Sequence, residues 1–119
     1  MYADYDVEAY EDDLADVLVG RRIVDADTSK FTLKLDDGTT LEFLPVADCC
    51  AWFEPDVLEW IDYDDNVITS VKQVETNTGD DDYDILILSA SKRIARVGVV
   101  GSEGNGYYVH HVGMRVRRD

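Results

Sequence analysis

Phe31, Leu33 and Leu35 alternate with Thr32 and Lys34, and a few residues later Leu41 and Phe43 alternate with Thr40 and Glu42. A side-chain period of two belongs to a strand with one apolar and one polar face. Between the two runs stands Asp36-Asp37-Gly38-Thr39, where Gly38 takes a positive φ at little cost. The stretch therefore predicts an antiparallel hairpin, and a mainly β body around it.

Other segments extend that body. Arg21 to Ala26 reads as a strand ahead of the hairpin, and Pro45 ends or edges its second arm. Val46 to Glu54 reads as extended and largely buried. Pro55 to Ile61 carries Val57, Leu58 and Ile61 at helical spacing, behind a proline suited to a first helical position. Val67 to Val74 is β-rich, and Ile85 to Leu88 is a continuous apolar run that suits a strand covered on both faces. Ser89 to Lys92 reads as a turn. Ile94 to Val100 and Tyr107 to Val116 read as a second hairpin around the glycines of Gly101 to Gly106. At the other end, Val7, Tyr10, Leu14, Val17 and Leu18 recur at spacings of three and four, which predicts a helix over 7–19. Asp4 or Asp6 is positioned to cap it and Gly20 to stop it. The expected organisation is one domain over 1–119: a loose tail over 1–6, the helix, and a β-rich body over 21–116. The expected architecture is α+β, mainly β: a single antiparallel, strongly bent sheet or open barrel of about six or seven strands with an N-terminal helix.

Charge narrows the function classes. The chain holds 26 acids against 11 basic residues, a formal net charge of -15. Such a surface repels phosphate and anionic lipid, so direct nucleic-acid binding is disfavoured and a basic partner fits better. Solubility alone also accounts for much of this charge. The first 18 residues carry seven acids and no Lys or Arg, unlike a signal peptide. No apolar run approaches the roughly 20 residues needed to span a bilayer. These features lead us to expect a cytoplasmic protein without membrane contact.

Leu18-Val19-Gly20 before a strand, Asp37-Gly38 in the hairpin, Asp48-Cys49-Cys50, the Tyr83 to Leu88 strand and Gly101-Ser102-Glu103-Gly104-Asn105-Gly106-Tyr107-Tyr108 occur in that order. Together they resemble a family of small uncharacterised domains found in bacteriophages and their bacterial hosts, especially actinobacterial ones. The resemblance runs over roughly residues 18–116. It departs at Ser102-Glu103-Gly104, where the family usually has Gly-Glu-Ser, and the acidic helix lies outside it. The resemblance implies a phage-type protein acting in the host cytoplasm and supplies no catalytic residues.

Candidate chemistry is sparse. Cys49 and Cys50 are adjacent, so in an extended segment they face opposite ways and do not share a metal ion. Free cysteine packs well as a small apolar group, so no metal or cofactor is expected. Cys50 as a thiol, His110 or His111 as a base and Asp48 as an orienting carboxylate form a conceivable catalytic set. An acidic surface raises a thiol pKa and works against it. Asp48 also suits a turn cap. Asp62-x-Asp64-x-Asn66 and Asp80-x-Asp82-x-Asp84 begin like calcium loops but place Val67 and Ile85 where glycine is required. Tyr107 and Tyr108 alternate faces, so one of them, with Asn105, offers a contact surface.

Three functions follow as expectations. The first is a non-enzymatic interaction module for a host or phage protein. In a more specific version it mimics nucleic acid, with carboxylates of the helix (Glu8, Glu11, Asp12 and Asp16) and of the Glu54 to Asp65 segment standing in for phosphates. The second is a small cysteine-dependent enzyme centred on Cys50, Asp48 and His110. The third is a homo-oligomeric structural component.

Overall fold

The hairpin forms where the alternation places it. In the computed structural model, which describes residues 5–8, 10–47, 51–61, 66–76, 81–102 and 112–118, strand β3 (Thr32–Leu35) pairs antiparallel with β4 (Thr39–Leu44). For 5–8 and 118 the description is of the backbone. Gly38 has a φ of 89° and its N–H donates to the Leu35 carbonyl at 3.1 Å. Asp37 Oδ1 accepts the Thr39 N–H at 3.0 Å and closes the turn. Leu33, Leu35, Leu41 and Phe43 are buried on the inner face.

The described elements make a mainly β, wholly antiparallel fold with one short helix, the sheet strongly curled into a half-barrel. Its ladders fall into two five-stranded stretches. The first, sheet A, runs in the order β1 (Tyr5–Glu8), β10 (Gly113–Arg118), β4, β3, β2 (Ile23–Asp27). The second, sheet B, runs β5 (Val46–Ala47), β6 (Trp52–Trp60), β9 (Lys92–Ser102), β8 (Tyr83–Ser89), β7 (Ser70–Glu75). Chain passes from one to the other at Pro45, between β4 and β5, where a missing N–H ends the ladder. The inner faces share one core that includes Leu33, Phe43, Phe53, Ile85, Val97 and Met114. Burying each such side chain stabilises the fold by roughly 1.5–3 kcal/mol.

Helix α1 spans Glu11–Leu18, shorter than the predicted 7–19, and Tyr5–Glu8 is a strand where a tail and the helix start are expected. Tyr10 stands at the N-cap without a side-chain cap bond; Asp4 and the side chain of Asp6, the expected caps, lie outside the described residues. Gly20 follows the helix at a φ of 86° and ends it as expected. Leu14, Val17 and Leu18 face the core. The Glu11 carboxylate accepts the backbone N–H of Gln73 at 2.5 Å, so the helix covers the outer edge of β7.

Two further expectations are corrected. Pro55 to Ile61 continues strand β6 instead of forming a helical turn. A bulge between Pro55 and Val57 inserts Asp56, which shifts the alternation and mimics helical spacing. The strands β9 and β10 are not hairpin partners. β9 lies between β6 and β8, whereas β10 fills the gap between β1 and β4 in the other sheet. The strands number ten among the described residues, against six or seven expected.

Candidate functional site

The two stretches singled out in the sequence are approached from their flanks. Asp48, Cys49 and Cys50, His110 and His111, and Asn105, Tyr107 and Tyr108 all lie outside the described residues. Trp52, two residues after Cys50, is the cross-strand partner of Ser102, and Phe53 is the partner of Gly101. The Phe53 ring meets the edge of Tyr83 at a centroid distance of 5.9 Å and an interplanar angle of 61°. The buried Tyr83 hydroxyl accepts the Val112 N–H at 2.9 Å, and Asp82 Oδ1 accepts the Gly101 N–H at 3.2 Å. One end of sheet B thus holds both sides of the glycine-rich stretch in place. Trp52 remains 45% exposed there.

The acids are distributed by role. Glu11 is committed to β7, while Asp12 and Asp16 are exposed one helical turn apart. Glu8 lies in β1 opposite Gly113. Glu54 and Asp56 lie on β6, at the other margin of sheet B from α1. Three strand spacings separate β6 from β7, roughly 14 Å. Among the described residues β6 is paired on that margin only at Trp52 and Phe53. Its remaining edge carries Glu54, Pro55, the Asp56 bulge and Glu59, features that oppose edge-to-edge association. The edge strand β2 is treated alike, with an irregularity at Val24 and exposed Asp25 and Asp27.

On the outer face of sheet B, Arg96 Nε donates to Glu59 Oε1 at 2.6 Å and Nη1 to Asp84 Oδ1 at 2.9 Å, tying three strands together. Gly98 leaves room for this: a Cβ there would stand 2.7 Å from Val57 Cγ1 and 3.3 Å from Arg96 Nη1. The hydrogen bond from Arg96, then its charge, holds the Glu59 carboxyl below its ordinary pKa, and Glu59 in turn raises Arg96. A carboxylate lowered in the folded state adds stability above its unfolded pKa and loses it as pH falls through the folded value. The stability gap between wild type and Arg96→Met should therefore narrow as pH drops below about 4. Paired urea titrations between neutral and acid pH check this, and an unchanging gap would show that the ion pairs contribute nothing.

Grooves indent the described surface, and two of them join separate strands. One, of about 320 Å³, is lined by Lys30, Thr32, Thr40, Glu42, Arg115 and Arg117. Arg115 stands 3.8 Å from Glu42 and opposite Asp6 in the β1 register, so this groove lies within a cross-strand ladder of alternating charge. The other, of about 410 Å³, lies where Thr28 of the β2–β3 turn approaches the ends of β6 and β9 at Trp60, Ile61, Arg93 and Ile94. Sequence reasoning missed both, because their lining residues are far apart along the chain. Among the described residues no three metal-ligating side chains gather, and no helix is long and apolar enough to cross a membrane.

The family described as a domain of unknown function, DUF7448, matches residues 16–114, and the chain belongs to it. The match takes in every strand from β2 to β9 and the first two residues of β10, and starts within α1 at Asp16. No curated protein and no solved structure matches the chain.

Proposed function

We propose that this protein is a non-enzymatic interaction module whose acidic helix α1 docks on a basic surface of a partner protein. The observation that carries the reading is the pair Asp12 and Asp16. Both are exposed, they stand one turn apart, and no basic residue occupies the last turn of the helix. Like charges at this spacing cost a helix roughly 0.2–0.5 kcal/mol, and Asp16 faces the negative end of the helix dipole. An arrangement that opposes folding, with no ion pair to either acid among the described residues, is what an external cation would complete. Glu11 supports the reading by fixing the helix on the β7 edge. In the phage-type setting implied by the sequence resemblance, the partner is a host or phage protein met in the host cytoplasm. Nucleic-acid mimicry is the stricter form, with α1 supplying the phosphate-like row and the β6 acids occupied in guarding a strand edge.

Affinity capture of a basic protein on the immobilised chain at about 50 mM and about 500 mM salt tests this. Wild type should retain the partner at low salt only. Asp12→Asn with Asp16→Asn should lose it while melting at the same or a higher temperature, because the like-charge repulsion is removed. Capture that ignores both salt and the double substitution would exclude α1 as the docking surface.

A further inference from the structure

We infer that the Asp37–Gly38 bond of the β3–β4 turn is a site of isoaspartate formation, and that Arg21 holds it shut in the folded protein. An aspartyl side chain followed by glycine is open to attack by the next main-chain nitrogen, because glycine has no side chain to obstruct the approach. The Gly38 nitrogen bonds to the Asp37 carboxyl carbon, and its proton leaves with the carboxyl hydroxyl as water. Water then opens the five-membered imide at either carbonyl. Opening at the main-chain carbonyl leaves the chain running through the Asp37 side chain, as isoaspartate. The water lost is regained and nothing is oxidised, so the reaction needs no co-reactant. In the sequence only Asn105-Gly106 shares this pattern, and it lies outside the described residues.

The reaction requires a neutral carboxyl and a free Gly38 nitrogen, and the turn withholds both. Gly38 N–H donates to the Leu35 carbonyl at 3.1 Å. Asp37 Oδ1 accepts the Thr39 N–H at 3.0 Å, and Oδ2 forms an ion pair with the Arg21 guanidinium. Burial pulls the Asp37 carboxyl up, but the bonds from Thr39 and the charge of Arg21 outweigh it and hold the carboxyl below its ordinary pKa. Arg21 is itself anchored. Its N–H donates to the Leu18 carbonyl at 3.1 Å, at the end of α1, and its carbonyl accepts the Ile68 N–H at 2.8 Å. Beside it, Arg22 N–H donates to Asp36 Oδ1 at 3.2 Å, and the Arg22 carbonyl accepts the Asp36 N–H at 2.9 Å. The clasp therefore comes from outside the hairpin, from the segment that joins α1 to β2. Isoaspartate would put one more main-chain carbon into a turn whose length sets the β3–β4 register, with Lys34 opposite Thr40 and Leu33 opposite Leu41. It would also take the carboxylate away from Thr39 and Arg21. Each opening of the turn thus exposes the chain to a covalent exit from the native state.

The test is to hold the protein at physiological pH and temperature, sample it over weeks, and map isoaspartate by peptide digestion, which separates Asp37 from Asn105. Folded wild type should form isoaspartate at Asp37 at least about tenfold more slowly than the same protein unfolded in guanidinium chloride, since only molecules with an open turn react. Arg21→Gln should speed its formation about two- to fivefold, the loss of one part-exposed ion pair. High salt, which screens that pair without any substitution, should move wild type in the same direction. Gly101→Ala, which weakens the fold at the far end of sheet B and leaves the clasp intact, should age at the wild-type rate. Equal rates in the folded and unfolded protein overturn the inference. So does a wild-type rate that ignores salt, or a folded Arg21→Gln that ages like wild type. Gly101→Ala ageing as fast as Arg21→Gln overturns it too, because protection would then follow overall stability and not Arg21.

Discussion

Leu14→Ala should lower the unfolding free energy by about 3 kcal/mol and make the protein self-associate. Leu14 is fully buried between α1 and the sheet, and truncating it leaves a cavity that the neighbouring strands fill only in part. The second effect distinguishes this site from an ordinary core position. α1 packs over β7 and its Glu11 takes the Gln73 N–H, so loosening the helix uncovers the row of backbone groups on that margin. Leu14→Met, which keeps the volume, should cost under about 1.5 kcal/mol and leave the protein unassociated. Urea titration combined with sedimentation decides the matter. If Leu14→Ala is destabilised yet stays monodisperse under native conditions, the helix is core filling and does not guard the edge.

Gly101→Ala should cost about 2–3 kcal/mol, far more than a glycine-to-alanine change in an ordinary strand. Gly101 lies opposite Phe53, and an added Cβ would overlap the Phe53 ring, 2.7 Å from its Cγ, and crowd the Trp52 carbonyl oxygen. Part of that cost belongs to the ring and part to the backbone. Phe53→Leu removes the ring edge, so Gly101→Ala should cost about 1 kcal/mol less in that background. The carbonyl contact prevents full rescue. Strict additivity in the four-member cycle would mean that the clash is with the main chain alone. Phe53→Leu by itself loses the edge contact to Tyr83 and sets the baseline for the comparison.

Legibility in the sequence followed the range of the interactions involved. The β3–β4 hairpin is local: period-two alternation and a glycine at positive φ specify it without help from the rest of the chain. β6 is local too, but the single extra residue Asp56 moves Leu58 and Trp60 onto the inner face out of step with Phe53, and the resulting spacing resembles a helix. Tyr5 to Glu8 alternates as a strand should, yet four residues are too few to outweigh the helical spacing that starts at Val7. What makes them a strand is β10, more than a hundred positions later. The glycines after Gly101 suggest a hairpin, but pairing was decided by sheet A, where β10 has two neighbours to satisfy. The same distinction governs the sites. Asp12 and Asp16 were recognisable as a charged helix face because they are one turn apart. The groove joins Thr28, Trp60 and Arg93, which nothing in the linear order connects. The acids of β6 were legible as charges, though their service at a strand margin required the topology.

The position of β10 has a consequence for how the chain is made. It lies inside sheet A, bonded on one side to β1 and on the other to β4, yet it leaves the ribosome after every other described strand. Until then β1 has no strand to join, and the flank of β4 away from β3 stays open. The β1–β10–β4 part of sheet A must wait while the β6–β9–β8–β7 ladder already holds its full set of long strands. Nascent chains should therefore acquire native structure from the middle outward, closing last at the pair of segments most distant in the sequence.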